Sequence, residues 1–361
     1  MSESTPGLTS FLSDPGLRER YEKVRRFFYL KESAYDISSM CQLRCNGCYY
    51  FQGDKYMAKP TRAIETWRSF FLAEKDRGIT YVNLAGAEPA LVPDILRTCS
   101  EVIPLGTVFT NGLKAIERSI PYRIHISIWG GSAGDPVYRK RVNGTPGPYC
   151  LPIQLRNYRD DDRVIFVYTF NGENSKQLGE VLDAVSVEGH KLTFNVFSAP
   201  EGTTERLSLV QLQKIRDAMF AAMDRYPDTI IFSPYNAIVH TERRSLFSQW
   251  GCPYPRAANV TSRKFGLGST FRSYRVDLTH RLETDCCVPD TDCKDCRHYA
   301  AGSAIITSRL KQHCESEELF RGWLDYVDTY LSIWVLGYQR GSNLYEPSRA
   351  LTNLMCVDDT D

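Results

Sequence analysis

The sequence lacks the features that mark membrane proteins and nucleic-acid-binding proteins. It has no run of about 18 apolar residues, so no membrane-spanning helix is expected. Its 44 basic and 43 acidic residues leave a net charge of +1, too little for a strong field toward nucleic acid or anionic lipid. The N-terminus shows no basic, apolar leader with a small-residue cleavage site, so we expect a cytoplasmic protein.

Some common catalytic motifs are also missing. The chain has no phosphate-binding loop ending in Gly-Lys-Ser/Thr and no His-Glu-x-x-His pair. Its 6 histidines are dispersed along the chain. His125 alternates within a predicted strand, where a packed core histidine is favoured over one that points into the barrel. The sequence therefore gives no support for phosphate-loop or zinc-protease chemistry.

Cysteine, in contrast, is abundant, with 12 residues. In a chain without a secretory leader this number indicates thiolate ligands in a reducing compartment, not a disulfide framework. The cysteines form two groups: a triad of Cys41, Cys45 and Cys48, and a second group of Cys252, Cys286, Cys287, Cys293 and Cys296. The remaining four are predicted to be buried small apolar residues: Cys99, Cys150, Cys314 and Cys356.

Short β-rich runs alternate with helical patterns from residue 33 to about 226. The predicted strands are 33–38, 80–85, 106–110, 123–129, 164–170 and 192–197, and the predicted helices between them include 63–77, 92–101, 175–187 and 208–226. This alternation indicates a parallel sheet wound from βα units. Six strands, not eight, predict an α/β fold with a partial (β/α)6 TIM-like barrel, whose chemistry lies at the carboxyl ends of the strands.

Beyond residue 230 the pattern changes to glycine- and proline-rich segments and a predicted hairpin with arms 275–278 and 282–284. We expect an N-terminal helical segment (1–32), the barrel (33–230), a small cysteine-rich α+β extension (231–315), and an aromatic helix with a tail (316–361). Ser316 is a suitable N-cap for the helix predicted over 316–336. Packing onto the barrel is its favoured role, and a dimer contact or membrane-surface docking stays open.

The cysteine triad has the spacing Cys-x3-Cys-x2-Cys and follows the first predicted strand. Three thiolates at this spacing can bind three irons of a [4Fe-4S] cluster and leave the fourth iron open to a substrate. A second motif, Gly86-Ala87-Glu88-Pro89, ends the second strand one βα unit later. The two motifs are in phase, so both are predicted to lie at the same end of the barrel.

These motifs resemble those of the radical S-adenosylmethionine (SAM) superfamily over about residues 33–200, with Ala87 in place of the second glycine of a Gly-Gly-Glu-Pro turn. The resemblance implies that SAM chelates the open iron through its amine and carboxylate. Backbone groups along 85–87, with Glu88, would hold the ammonium group. A reduced cluster would then cleave SAM to methionine and a 5′-deoxyadenosyl radical, which takes a hydrogen atom from a substrate.

Further strand ends match the superfamily by position. Thr110 and Asn111 are expected in the nucleoside pocket, Ser127 near the ribose or methionyl group, and Asn195 on the strand that meets adenine. Other residues at strand ends are Trp129, Asn171 and Phe197. Gly47 stands where the superfamily often has an aromatic residue, so Tyr49 or Tyr50 is the candidate adenine-stacking ring. Ordinary barrel packing is the open alternative for each of these residues.

The second cysteine group ends in the knuckle Cys293-x2-Cys296 after the predicted hairpin. Its spacing suits a zinc site as well as an iron–sulfur cluster. The arrangement resembles the SPASM or shorter twitch extensions of radical SAM enzymes, which implies one auxiliary [4Fe-4S] cluster with Cys252 as a further ligand. Crowding argues that only one of Cys286 and Cys287 ligates.

The resemblance implies an enzyme that abstracts hydrogen from a small molecule, which could be a sugar-like natural-product intermediate, in a net dehydrogenation that uses the auxiliary cluster. Redox-neutral epimerisation, decarboxylation or adenosyl addition to a lipid remains an alternative, as does a non-catalytic metal-binding scaffold. Arg139 could bind a substrate anion, and Tyr168 could donate a proton or hydrogen atom. A flavodoxin- or ferredoxin-type electron donor is implied, and the oligomeric state is left open.

Overall fold

The computed structural model describes residues 7–28, 30–51, 58–198, 206–251, 271–279 and 295–338. The strands in these ranges are β1 (Glu32–Ser38), β2 (Leu43–Cys45), β3 (Tyr81–Gly86), β4 (Gly106–Thr110), β5 (Arg123–Ile128), β6 (Arg139–Arg141), β7 (Val164–Phe170), β8 (Lys191–Val196) and β9 (Ser273–Tyr274). The helices are α1 (Leu8–Phe11), α2 (Pro15–Arg25), α3 (Ile64–Asp76), α4 (Pro93–Val102), α5 (Asp135–Tyr138), α6 (Leu151–Asn157), α7 (Leu178–Val187), α8 (Leu209–Arg225), α9 (Pro234–Thr241), α10 (Leu246–Trp250), α11 (Tyr299–Thr307), α12 (Leu310–His313) and α13 (Glu317–Trp334).

Seven parallel strands form one sheet in the order β8-β7-β5-β4-β3-β1-β9. The six strands predicted from the sequence are confirmed, and each lies beside the next one along the chain. The sheet is open, with β8 and β9 at its two edges. A partial barrel of βα units is therefore the observed architecture.

Burial on both faces explains why these strands could be recognised. Every residue of β7 is buried, as expected for a parallel strand covered by helices outside and by side chains inside. Helices α3 and α4 cover the outer face, where Trp67 and Phe71 are fully buried in the main apolar core. Each of these helices brings an apolar face to the sheet. The sequence therefore shows β-rich runs alternating with apolar residues at helical spacing, and this alternation identifies the fold.

The predicted hairpin arm at 275–278 is wrong within the described residues. The N–H of Leu278 donates to the carbonyl of Arg275 at 2.9 Å, and Leu278 has a φ of +67°, so this segment turns. The strand lies just before it, where β9 pairs with β1 in parallel and Tyr274 stacks on Tyr35. The second predicted arm, 282–284, lies outside the described residues.

Helix α13 packs against the barrel, as predicted, and closes its base. The Ser316 hydroxyl accepts from the Leu319 N–H at 3.2 Å, which confirms the predicted N-cap. Its C-terminal end lies under the strands, where the Tyr81 hydroxyl donates to the Trp334 carbonyl at 2.7 Å. Its other side packs on α2, with Lys23 paired to Asp328 at 3.3 Å. The predicted N-terminal and C-terminal segments thus share one apolar cluster.

No helix in the described ranges has both the length and the apolar character that a membrane crossing needs.

Candidate active site in the barrel

A cavity of about 730 Å³ fills the barrel interior. Its upper end, at the carboxyl ends of the strands, is lined by the three triad cysteines and by Gly86, Ala87 and Glu88. Its wall is built from inward-facing strand residues such as Ala34, Asn83, Phe109, Val167 and Thr169. This volume lies within the range of about 300–1,000 Å³ that is usual for small-ligand sites.

The loop that carries the triad is held by a short antiparallel pairing that the sequence did not reveal. Strand β2 pairs with β6, so that Cys45 lies opposite Arg139. The Asn46 N–H also donates to the Tyr138 carbonyl at 2.8 Å. The segment after β5 therefore fixes the middle of the triad loop at the cavity mouth. Local spacing could not predict this contact, because the two strands are about 95 residues apart in the sequence and only three residues long each.

Two of the triad thiols, those of Cys41 and Cys45, lie in an environment that raises their pKa and favours the protonated form. Burial raises the pKa of Cys45 to about 12, Arg139 opposes this rise, and the neighbouring Cys48 and Cys41 thiols add to it. Burial also raises the pKa of Cys41. Because the thiolate is the ligand, binding of iron would displace these protons. The donor set, three sulfurs from one loop, fits an iron–sulfur cluster.

The three thiols do not converge on one point. Among the described residues, no three His, Cys, Asp or Glu side chains surround one position closely enough to hold a single metal ion. A four-iron cluster makes a different demand, because each cysteine binds a different iron.

The turn after β3 requires glycine at position 86. Gly86 has a φ of +112°, and a Cβ placed on it would lie 2.5 Å from the Ser38 carbonyl oxygen. This close approach accompanies a register shift between β1 and β3 at Ser38, whose carbonyl also accepts from the Ala87 N–H at 2.7 Å. Ala87 itself lines the cavity, so the turn accommodates the extra methyl group.

Glu88 joins this turn to the end of β4. One carboxylate oxygen accepts from the Thr110 hydroxyl at 2.6 Å and the Ala90 N–H at 3.0 Å, and the other accepts from the Asn111 N–H at 2.8 Å. Burial raises the pKa of Glu88, and the bonds from Thr110 and Asn111 oppose this. The Asn111 side chain in turn donates to the Cys41 sulfur at 3.6 Å. The contact of Glu88 with the SAM ammonium group remains a prediction.

The structure gives Gly47 an aromatic neighbour. Gly47 has a φ of +68°, and a Cβ placed on it would lie 3.1 Å from the ring of Phe197. The Phe197 ring also contacts Trp129 edge-on, with 6.3 Å between ring centroids, and both rings line the cavity. Tyr49 lines the cavity too, whereas Tyr50 is buried outside it and packs against Phe51. The aromatic wall is thus formed chiefly from the strand ends.

Ser127 and Asn195 also line the cavity. The Ser127 carbonyl accepts from Gln154 at 3.2 Å, and the Asn195 side chain accepts from the Tyr299 N–H at 3.0 Å. Asn195 therefore connects β8 to the start of α11. The structure brings both residues to the interior, and their contacts to SAM remain predictions.

Besides Tyr50, two predicted residues do not line the cavity, and one that does is already paired. Tyr168 points to the outer side of β7, where its hydroxyl donates to the Asn174 carbonyl at 2.7 Å, and Asn171 is also absent from the lining. Arg139 does line the cavity, but it is 1% exposed and forms an ion pair with Asp135 at 2.9 Å. Its charge is therefore compensated within the chain, which argues against the predicted capture of a substrate anion.

His125 combines both alternatives left open by the sequence. Its ring lines the cavity, yet one nitrogen bonds the Tyr299 hydroxyl at 2.8 Å and the other the Ile333 carbonyl at 3.0 Å. Burial lowers its pKa to about 3. His125 is a neutral residue that ties β5 to α11 and α13.

One member of the second cysteine group, Cys296, belongs to the described residues. Cys252, Cys286, Cys287 and Cys293 lie outside the described residues, and Cys296 is buried next to α11. Cys314 packs against the apolar cluster of α2 and α13 but is only partly buried, so its predicted burial is wrong, and Cys356 lies outside the described residues. Cys99 and Cys150 are buried, as predicted. The auxiliary cluster therefore stays a prediction.

No family model and no curated protein matches the sequence. Solved structures do match. SuiB from Streptococcus suis, bound to the precursor peptide SuiA, gives a TM-score of 0.50 at 11% identity over 95% of this chain and 80% of that one. Native anSMEcpe with bound AdoMet and the Cp18Cys peptide gives a TM-score of 0.51 at 12% identity over 90% of this chain and 98% of that one. The chain therefore has the open partial-barrel fold of the radical SAM enzymes.

Proposed function

We propose that this protein is a radical SAM enzyme. The observation that carries the proposal is the position of the cysteine triad and of the Gly86–Glu88 turn at one end of the barrel cavity. A [4Fe-4S] cluster bound at Cys41, Cys45 and Cys48 would supply the electron that cleaves SAM and starts hydrogen abstraction. The protein's own part is to hold the reactants and to exclude water.

The described residues have distinct tasks in this proposal. The tight Gly86 turn brings backbone groups to the cavity, where the SAM methionyl moiety is expected. Glu88 and Asn111 keep that turn in register with the triad loop, since Asn111 bonds both Glu88 and Cys41. The rings of Phe197 and Trp129 offer an apolar face for adenine. Thr110, Ser127 and Asn195 complete the proposed nucleoside pocket.

For the net reaction we favour hydrogen abstraction from a small molecule, with an auxiliary cluster at the second cysteine group accepting the remaining electron in a dehydrogenation. The enzyme would work in the cytoplasm with a flavodoxin- or ferredoxin-type donor. A peptide substrate is the second candidate, because the structures of SuiB and anSMEcpe were obtained with peptides. A redox-neutral reaction would use the same abstraction without the auxiliary cluster.

The test is anaerobic reconstitution with iron and sulfide, followed by dithionite and SAM. We expect about four irons for the triad cluster, about eight if a second cluster is present, and formation of 5′-deoxyadenosine. Cys45→Ala should abolish 5′-deoxyadenosine formation. Cys99→Ala, a buried cysteine outside both groups, is the matched control and should retain it. Zinc in place of iron together with an inert triad would instead support a scaffold.

A further inference from the structure

The lower end of the barrel cavity has a chemistry that the proposed use of the triad does not explain. This distal chamber is lined by Glu32, Asn83, Tyr330 and Trp334, and by the apolar residues Phe27 and Leu331. Glu32 begins β1, and the triad follows the end of that strand. Six residue steps of about 3.3 Å separate Glu32 from Ser38, so about 20 Å of barrel lies between the chamber and the cavity mouth.

Glu32 brings into this chamber a carboxylate that no described cationic side chain pairs with. Its Oε1 accepts from the Tyr330 hydroxyl at 2.5 Å, and its Oε2 accepts from the Asn83 side-chain N–H at 3.1 Å. Both partners are neutral, and no lysine or arginine among the described residues forms an ion pair with Glu32. Burial raises the pKa of Glu32, while the two hydrogen bonds oppose that rise. A buried carboxylate of this kind is costly without an opposite charge.

Asn83 adds a further acceptor beside the carboxylate. Its side-chain oxygen is buried and has no hydrogen-bond partner among the described residues, although its N–H is engaged by Glu32. The Trp334 indole N–H is the one donor of the chamber's four polar side chains that is buried and unpartnered in the described part of the chain. Each carboxylate or amide oxygen has two lone pairs, so the acceptor sites of Glu32 and Asn83 outnumber the N–H and O–H donors of these side chains. A ligand that donates several hydrogen bonds and carries positive charge suits this arrangement, and an ammonium group has three N–H donors.

The rest of the wall is apolar. Phe27 and Leu331 are 4% and 2% exposed, and they come from the segment after α2 and from α13, which close this side of the barrel. A ligand held at Glu32 would therefore be surrounded by hydrocarbon on the side opposite the carboxylate. We infer that the distal chamber binds the protonated amine of an elongated substrate whose apolar part packs against Phe27 and Leu331. The assignment of this chamber to a substrate rests on the proposed function, in which the carbon that loses its hydrogen lies near the triad.

The test is direct binding of three probes of equal chain length, n-decylammonium, n-decanol and n-decanoate, to the anaerobically reconstituted full chain with SAM present. Titration calorimetry should give about tenfold or tighter binding of the ammonium than of the alcohol, as expected for a charge-assisted hydrogen bond, and weakest binding of the carboxylate. Glu32→Gln keeps the size and one acceptor oxygen. It should weaken ammonium binding about tenfold and leave decanol binding unchanged.

Glu65→Gln, an exposed acid on α3, is the matched control and should keep the wild-type preference. Equal binding of all three probes by the wild type overturns the inference, whether or not the Glu32 variant folds. Retention of the ammonium preference by Glu32→Gln also overturns it. Formation of 5′-deoxyadenosine is measured in the same preparation. SAM cleavage without ammonium preference refutes the chamber alone, whereas ammonium preference without SAM cleavage refutes the proposed function.

Discussion

The hydroxyl of Thr110 donates a hydrogen bond of 2.6 Å to the carboxylate of Glu88 across two neighbouring strand ends. The same carboxylate accepts from the Asn111 N–H, and the Asn111 side chain reaches the Cys41 sulfur. The turn after β3, the end of β4 and the triad loop are therefore parts of one connected structure. A substitution of Glu88 should therefore alter the position of the triad loop.

Glu88→Gln is expected to destabilise the protein and weaken SAM binding. The amide keeps one acceptor oxygen, but it presents an NH₂ group to one of the donors that Glu88 now satisfies. A buried donor left unpaired costs about 1–3 kcal/mol, so the free energy of unfolding should fall by that amount. If a loss of this size falls on the turn that holds SAM, the affinity for SAM should decrease about tenfold. Denaturant unfolding and SAM titration measure the two effects, with Glu65→Gln as control. Wild-type values for both would show that Glu88 does not organise the site.

Gly86→Ala should be far more damaging than Ala87→Gly. The added Cβ at position 86 meets the Ser38 carbonyl at 2.5 Å on a backbone with φ +112°. Strain of this kind costs of order 1–3 kcal/mol at least, and the β1–β3 register must change to relieve it. Ala87→Gly removes one methyl group and should alter stability by about 1 kcal/mol or less. Thermal unfolding and iron content compare the two variants. Equal effects would contradict the assigned role of the Gly86 turn.

Arg139→Met should destabilise the protein strongly, because it leaves Asp135 buried without its partner. Both side chains of this pair are at most 2% exposed. Removing one member of a buried ion pair costs about 3–5 kcal/mol. The matched control is Arg97→Met, which breaks exposed pairs with Asp94 and Glu117 and should cost about 1 kcal/mol or less. Denaturant unfolding distinguishes them. Similar losses would mean that the Asp135 pair does not secure the segment that holds the triad loop.

His125→Gln should reduce the loss of stability in mild acid. Burial lowers the pKa of His125 to about 3 in the folded protein, while the unfolded value is about 6.5. Its stabilising contribution is therefore complete above about pH 6.5 and is lost as the pH falls toward 3, by about 1.4 kcal/mol per pH unit. Glutamine does not take up a proton on unfolding, so the free energy of unfolding of the variant should decline less steeply between pH 6.5 and 5. Parallel pH profiles for the two proteins would show that His125 titrates normally.

Much of the fold could be predicted because the barrel strands are short β-rich runs that alternate with helical patterns along the chain. The strand over 106–110 was predicted to the residue, and α13 was recognised from its aromatic spacing and its Ser316 cap. Strand β9 was not predicted, since two residues carry almost no periodic signal. Its pairing with β1 depends on a contact across more than 200 residues, which no local pattern encodes.

The candidate site was predictable where motif and strand end coincide, as at the triad and at Glu88. The prediction failed at Tyr168 because β7 is apolar on both faces, so the sequence does not reveal which alternate residues point inward. The contacts of Arg139, and that of Phe197 with Gly47, depend on how loops after different strands meet. The Glu32–Tyr330 hydrogen bond joins residues 298 positions apart and could be found only in the folded chain.

The most direct test of the central claim is the electron paramagnetic resonance spectrum of the reconstituted, dithionite-reduced protein with and without SAM. If three cysteines hold a cluster with an open iron, SAM should change the spectrum of the wild-type protein, and Cys45→Ala should give no such change. An unaltered spectrum, together with intact SAM after incubation, would contradict the account.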